Sequence, residues 1–210
     1  MTTKKILGRG RPRGFDLEAA IATAMDLFHQ RGYDGVGVAE LSKTIGITAP
    51  SLYSAFGSKC ELFERALQHY AQVAGGWLPE VLAIEDRLEV VIGQMFACAA
   101  EIYTANPERP GCLIIDGTRN CTDAQAQALT AGFRRMTRER IRDRIAAAAP
   151  DLIDPRVDAL ADYVVTILVG LSGSARDGMT AEALQTTAEI AAAGFAQRLQ
   201  QYRQAQPLEN

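Results

Sequence analysis

The segment ITAPSLYSAFGSK, residues 47–59, concentrates small polar side chains that could bind a polar surface. It holds four Ser or Thr hydroxyls, one tyrosine and one proline, but only three strongly apolar residues, Ile47, Leu52 and Phe56. Hydroxyl groups followed by a lysine suit hydrogen bonds to phosphate oxygens and to base edges. Most of this segment is therefore not expected to be buried, and other elements must hold it in place.

Two short helical stripes flank a turn of only a few residues, GIT. Gly46 can take the left-handed conformation that ends the first stripe, and Thr48 can cap the second. This spacing predicts a helix-turn-helix, whose second helix lies in the major groove of DNA. The first turn of that helix must be slim and polar, as Ala49, Pro50 and Ser51 are. The apolar residues of the two stripes are Val38, Leu41 and Ile45, then Leu52 and Phe56.

Two further side chains of the segment are predicted to contact phosphate. Tyr53 follows the inward-facing Leu52 and must point outward, where its hydroxyl can reach the DNA backbone. Lys59 begins the next helix and adds a cation beside backbone N–H groups that already favour an anion. The alternative is a plain connector with a cap, a proline and a half-buried tyrosine, but the neighbouring elements favour DNA binding.

Longer helices must support the two short ones, because isolated helices of fewer than about 12 residues are marginal in water. Residues 16–31 are predicted to form a helix with Asp16 as its N-cap and Gly32 as its end. Ser58 and Glu61 form a capping box, from which a fourth helix continues to Gly75. The first 75 residues are therefore predicted to be three short helices and a longer connecting one.

The remainder of the chain is predicted to be helical, so the fold class is all-α with no internal repeat. After a break at GGWLP, helices are expected at about 85–105, 122–148, 155–176 and 180–203, with a less regular piece at 110–119. Asp154 is the predicted N-cap of the third of these, with Pro155 at its first position, and Thr180 caps the last. We assign residues 1–59 to a DNA-binding domain and 60–210 to a helical ligand-binding and dimerisation domain.

Charge is distributed unevenly along the 210 residues, whose net charge is −3. Residues 1–59 carry eight Lys or Arg and five Asp or Glu, whereas the rest carries 14 and 20. A basic module joined to an acidic body is expected if only the first part meets phosphate. Within the N-terminal arm, Arg9, Arg11 and Arg13 alternate with Gly and Pro, which favours an arm entering a minor groove over a merely solubilising tail.

Residues 9–70 resemble the DNA-binding region of TetR/AcrR-family transcriptional regulators. The resemblance rests on GRPRGFD, AMDLFHQRGYDGVGVAEL and IGITAPSLYSAFGSKCELF, and on the helix lengths between them. It implies a homodimer that binds a palindromic double-stranded DNA operator, a C-terminal pocket, and repression released by a small-molecule effector. It also places Val38 where helix two meets phosphate, although many members have Thr there, so only the backbone N–H could serve. The implied DNA-contacting positions are Thr48, Ala49, Pro50, Ser51, Tyr53 and Lys59.

A second set of residues could line an apolar pocket in the body, although such stripes are more often plain core. The candidates are aromatic or sulfur-containing residues on the predicted faces of the middle helices: Trp77, Phe96, Tyr103, Cys112, Phe133 and Met136. Cys112 follows a Pro-Gly turn and offers an alternative, a regulator that senses oxidants, electrophiles or a metal through its thiol. The simpler interpretation of this cysteine is a small buried apolar residue.

Other classes of function find little support in the sequence. Four irregularly spaced cysteines and two histidines form neither a zinc template nor a disulfide framework, and no glycine-rich phosphate loop is present. We therefore expect no catalytic residue, metal or cofactor, and a cytoplasmic protein with no membrane partner. The arginines of residues 134–144 could form a second nucleic-acid face, but Glu139 and Asp143 favour a self-paired helix face. The last two helices have wide apolar faces that predict a dimer interface.

Overall fold

The computed structural model describes residues 15–205, and throughout that range it consists of helices joined by turns, without a strand. The all-α prediction is confirmed. In chain order the helices are α1 (Leu17–Arg31), α2 (Val38–Ile45), α3 (Ala49–Phe56), α4 (Lys59–Val73), α5 (Trp77–Leu82), α6 (Leu88–Thr104), α7 (Leu113–Asp116), α8 (Ala124–Ala148), α9 (Asp154–Arg176) and α10 (Ala181–Gln204).

α1 and α3 pack on α4 around an aromatic centre, and α2 packs on α1 and α3. Phe28 of α1 lies edge-on to Phe63 of α4 with ring centroids 4.9 Å apart, and Tyr33 lies 5.0 Å from Phe63. Leu52 and Phe56 anchor α3 in the same core and are almost fully buried. Burying side chains of this size stabilises the fold by about 1.5–3 kcal/mol each. α2 and α3 are too short to be stable alone, and packing against the neighbouring helices stabilises them.

The body is a bundle in which α6, α8, α9 and α10 pack on one another and α5 and α7 fill the ends. α6 lies against α9 and α10, and α8 lies against α9. α4 reaches into both parts, since it packs on α1 and also on α7 and α8. Among the described helices, α9 alone is long and apolar enough by length and composition to cross a membrane. Within the bundle α9 packs against four helices, α6, α7, α8 and α10.

Two local expectations from the sequence were wrong. GGWLP is not a simple break, because Trp77–Leu82 forms a short helix in whose first turn Pro79 is tolerated. Asp154 is the first residue of α9 and not its cap, which is Ile153. The carboxylate of Asp154 instead accepts a hydrogen bond from Arg142 at 2.9 Å. The caps at Asp16, Thr48, Ser58 and Thr180 are confirmed by hydrogen bonds from backbone N–H groups.

The arginines of α8 are paired, but not with the acids of their own helix. Within the described chain, neither Glu139 nor Asp143 forms an ion pair with them. Arg138 and Arg142 instead bridge across to α9, where the acceptors are Asp154, Asp158 and Asp162. These partners were not evident in the sequence because they come from a separate helix. The pairing removes those two arginines from any second nucleic-acid face.

Candidate DNA interface and effector cavity

The side chain of Thr48 caps the N-terminus of helix α3. Thr48 Oγ1 accepts a hydrogen bond from the backbone N–H of Ser51 at 3.3 Å and lies 2.9 Å from the Ser51 hydroxyl. Gly46, at φ +80°, makes the left-handed turn that ends α2. Its conformation would strain any residue with a Cβ. The turn therefore places the first residues of α3 at the surface, beside the end of α2.

The solvent-facing side of α3 carries the residues that the sequence assigns to DNA. Thr48, Pro50 and Ser51 are exposed, Ala49 is partly exposed, and 49% of the Tyr53 surface is accessible. Thr48, Pro50 and Ser51, together with Lys43, border a shallow concavity that also reaches Phe15. All polar groups here are short hydroxyls or a single ammonium group. The surface is slim enough to approach base edges and carries no acidic side chain.

Val38 lies at the start of α2, where its backbone N–H, and not its side chain, could contact a phosphate. Its side chain is partly buried against the core, and Gly37 before it provides no capping side chain. The first α2 N–H group with an acceptor in the described chain is that of Leu41, bonded to Gly37 at 3.0 Å. The N–H groups of the first turn are thus available to an anion, and they carry the positive end of the helix dipole.

Lys59 occupies the first position of α4 but is turned inward. Its Nζ lies 4.0 Å from the centroid of the Tyr33 ring, a cation–π contact. The ammonium group also helps to lower the pKa of Asp34, whose main cause is the hydrogen bond from the Thr122 backbone N–H. A phosphate contact would require the side chain to rotate away from Tyr33. The sequence did not foresee this competing site, because Tyr33 lies in a loop.

Three of the predicted contacts, Arg9, Arg11 and Arg13, lie outside the described residues. Their assignment to a minor groove stays a prediction.

A cavity of about 190 Å³ lies in the body between α4, α5, α6, α7, α8 and α9. The structure brings together five of the six predicted lining residues, namely Trp77, Tyr103, Cys112, Phe133 and Met136. Phe96 is not among the lining residues. It is fully buried and packs edge-on to Tyr163, with ring centroids 6.5 Å apart, so it belongs to the contact between α6 and α9. The assignment of Phe96 to the cavity is therefore corrected.

Several lining residues were missed because they lie on elements whose inner face the sequence did not reveal. Tyr70 was seen only as part of the apolar stripe of α4. The α7 segment was expected to be irregular, and the arginines of α8 were assigned to solvent. The missed residues include Tyr70, Ile114, Ile115, Arg134, Arg140, Val165 and Leu168.

The deep side of the cavity holds two phenols and a thiol. Tyr70, Tyr103 and Cys112 are each less than a tenth exposed, and all three line the cavity. Burial raises the pKa of each of these three groups above its ordinary value. All three are therefore neutral near pH 7, so the thiol lacks the thiolate character of a reactive cysteine.

The segment containing α7 connects the cavity with the DNA-binding helices. The N–H of Tyr33 donates to Gly117 at 2.7 Å, and Nε2 of His29 lies 3.2 Å from the carbonyl oxygen of Gly111. Arg176 of α9 donates to the His29 carbonyl at 3.1 Å. A shift of α7 would therefore displace the hydrogen-bond partners of His29 and Tyr33 at the end of α1.

The cysteines do not form a shared site. Cys60 and Cys98 are partly buried, Cys112 and Cys121 are buried, and all four are free thiols. The Cys121 thiol donates to Asp34 at 3.4 Å, away from the cavity. Over residues 15–205, no group of three or more His, Cys, Asp or Glu side chains is arranged to hold a metal ion.

Comparisons with known proteins agree with this geometry. Residues 20–66 match the family described as bacterial regulatory proteins, tetR family. The chain is 36% identical to the HTH-type transcriptional repressor BdcR of Escherichia coli (strain K12) over 191 residues, which cover 91% of this chain and 94% of that one. It is 33% identical to the repressor ComR of the same organism over 189 residues, covering 86% and 89% of the two chains.

A solved structure extends the likeness to a DNA complex. A cysteine variant of the transcriptional regulator CifR, complexed with 26-bp double-strand operator DNA, superimposes with a TM-score of 0.80 at 31% identity. The match covers 87% of this chain and 98% of that one.

Proposed function

The chain belongs to the TetR family of bacterial regulatory proteins, and we propose that it is a homodimeric repressor, released from a palindromic operator when a small molecule occupies the cavity. Members of this family are non-enzymatic DNA-binding transcription factors. The observation that carries the proposal is the exposed face of α3, which presents Pro50, Ser51, Tyr53 and Ser54, with no acidic side chain, beside a capped first turn. The protein acts in the cytoplasm, where its operator lies.

In this proposal α3 lies in the major groove. Thr48 and Ser51 meet base edges, while Ala49 and Pro50 allow the backbone to approach closely. The Tyr53 hydroxyl, the Lys59 ammonium group and the N–H of Val38 contact phosphates. Arg9, Arg11 and Arg13 follow the minor groove.

The dimer is proposed to form through α9 and α10. Ile190 of α10 is 69% exposed, and the exposed residues of these helices include the small Gly170, Ala183 and Ala193. An apolar face of this kind is stabilised by a second copy, and small residues allow helices to approach closely. A two-fold axis there would set the two α3 helices one DNA turn apart, about 34–36 Å.

Release follows from the position of the cavity. Tyr70 of α4 and Ile114 of α7 both line it. The chain on either side of α7 bonds to His29 and Tyr33 at the end of α1. An effector that binds more tightly to one arrangement of α4 and α7 changes the spacing of the recognition helices. Only such differential affinity can shift the equilibrium.

A second candidate is sensing through Cys112, favoured by one observation: this thiol lines the cavity. Burial raises its pKa, which disfavours attack on an electrophile at neutral pH. Alkylation of the native protein, compared between the unmodified chain and Cys112→Ser, separates the two candidates. Loss of operator binding that requires Cys112 would support thiol sensing, whereas release by a reversible ligand in Cys112→Ser would exclude it.

The test of the proposed function is selection of bound sequences from a random DNA pool with the full chain, followed by a salt titration on the selected site. We expect a palindrome and a steep dependence of affinity on salt. Ser51→Ala should change the base preference, while Ser174→Ala on α9 should not. No enrichment by folded, reduced protein would contradict the proposal.

A further inference from the structure

We propose that the effector is a small monocarboxylate with a compact apolar body, whose carboxylate binds Arg134 and Arg140 at the α8 side of the cavity. This inference rests on the proposed function, because it names the chemical class of the molecule that causes release.

The size of the cavity sets the size of the ligand. The cavity volume of about 190 Å³ is below the range of about 300–1,000 Å³ usual for drug-sized ligands. Long acyl chains and multi-ring compounds are therefore poor candidates.

The walls require an apolar body. α5, α7, α8 and α9 contribute aromatic and aliphatic side chains, among them Trp77, Ile114, Ile115, Phe133, Leu168 and Val169. Each Å² of apolar surface that the ligand buries against them contributes about 25 cal/mol. A sugar or a polyol would lose its hydration here without replacing it.

The charge of the lining favours an anion. Two arginines line the cavity, whereas no aspartate or glutamate does. Arg138 and Arg142 of the same helix are neutralised by aspartates of α9. Arg134 and Arg140 have no carboxylate partner among the described residues. The α8 arginines beside the cavity thus keep their charge available, and a cationic ligand is excluded.

The deep side determines the orientation of the ligand. Tyr70 and Tyr103 present neutral hydroxyls there, beside the Cys112 thiol. A carboxylate at this depth would lose its hydration without meeting a cation, which is costly. The apolar end therefore enters first, and an ether or carbonyl oxygen on it could accept hydrogen bonds from the phenols. The carboxylate stays at α8, where guanidinium groups bind it through charge-assisted hydrogen bonds.

Binding of the carboxylate would also act on α7. Arg134 Nη1 donates to the carbonyl oxygen of Ile114 at 3.1 Å. A carboxylate competes for this guanidinium and so alters the contact that holds α7 to α8. Because Gly111 and Gly117 flank α7 and bond to the end of α1, this contact links ligand charge to the DNA-binding helices.

The experiment uses the full chain and its selected operator with three classes of probe of similar size. The acids are benzoate, phenylacetate and octanoate; benzamide is the neutral analogue and benzylamine the cation. Thermal unfolding and fluorescence anisotropy of labelled operator measure binding and release at millimolar probe concentrations. We expect at least one acid to raise the melting temperature of the free protein and to release DNA, with benzamide and benzylamine weaker by tenfold or more.

Two variants locate the charge. Arg140→Gln should weaken binding of the active acid about tenfold, as the loss of one hydrogen bond to a charged group implies, and should leave benzamide unchanged. Arg135→Gln, an exposed neighbour that does not line the cavity, should behave like the unmodified protein.

The proposal is overturned if benzamide or benzylamine binds as well as the acids, if none of the acids binds, or if Arg140→Gln leaves acid binding unchanged. In each of these cases, if the unliganded protein still binds its operator, the proposed function as a DNA-binding repressor is not contradicted. Loss of operator binding by the unliganded protein would instead contradict the proposed function.

Discussion

Ser172 of α9 donates a hydrogen bond of 2.6 Å to Asp116 Oδ2 at the end of α7. The Asp116 side chain has no exposed surface at its carboxylate, and Arg119 supplies the neighbouring cation at 2.7 Å. The same Ser172 hydroxyl accepts the backbone N–H of Cys112 at 2.8 Å. A single hydroxyl thus ties α9 to both ends of the α7 segment that forms the cavity wall and contacts α1.

Ser172→Ala should lower the free energy of unfolding by about 2 kcal/mol, because it leaves a buried carboxylate and a buried N–H without this partner. Urea unfolding measures the change. Ser174→Ala is the matched control, since Ser174 is less buried and its hydroxyl bonds to no described residue. Equal stabilities of the two variants would contradict the role given to Ser172.

Gly111→Ala should destabilise the protein by at least about 2 kcal/mol, because two costs combine there. Gly111 has φ +80°, and a Cβ would lie 2.8 Å from Asp116 Oδ2 and 2.9 Å from the Ser172 carbonyl oxygen. Gly132→Ala on α8 meets no atom within 4 Å and should raise stability by about 0.5–1 kcal/mol. Thermal unfolding of both variants checks the contrast, and a Gly111→Ala protein as stable as the parent would refute it.

His29 should make stability depend on pH. Burial lowers its pKa below the ordinary 6.5, partly opposed by the hydrogen bond to Gly111. The unfolded chain therefore binds a proton first as the pH falls, so stability is present above about pH 6.5 and is lost below it, by at most about 1.4 kcal/mol for each pH unit.

Urea unfolding at about pH 7.5 and about pH 5.5 measures this effect. His29→Gln should show a smaller difference between the two pH values than the unmodified protein. His69→Gln, which changes the only other histidine, should keep the full difference. The assignment fails if both variants behave alike.

Lys59→Ala should lower the slope of log affinity against log salt by about one unit, because one phosphate contact is lost on every sequence. Filter binding or anisotropy on the selected operator measures the slope. Arg135→Ala on α8 should leave it unchanged. If Lys59 remains over Tyr33 in the complex, its removal will cost only the cation–π contact, about 0.5–1 kcal/mol of stability, with no change in slope.

Local sequence signals predicted most of the helices and the exposed face of α3. Asp16, Thr48, Ser58 and Thr180 cap helices where their side chains can bond to N–H groups two or three residues ahead, so nearby residues suffice to define these ends. Leu52 and Phe56 lie four residues apart and face inward, so Tyr53 must face outward. The helix-turn-helix can be predicted from the sequence because its spacing, its caps and its exposed face all lie within one short stretch of chain.

Contacts between distant segments could not be predicted in this way. The sequence grouped Phe96 with the cavity residues because it is aromatic, but the helix crossing turns it towards Tyr163. Arg138 and Arg142 form ion pairs with an aspartate of α9, and Lys59 forms a cation–π contact with the ring of Tyr33. Helix periodicity fixes which residues share a face but not which helix that face meets. That choice depends on packing of the whole bundle, which brought Ser172 to Asp116 and Arg134 to Ile114.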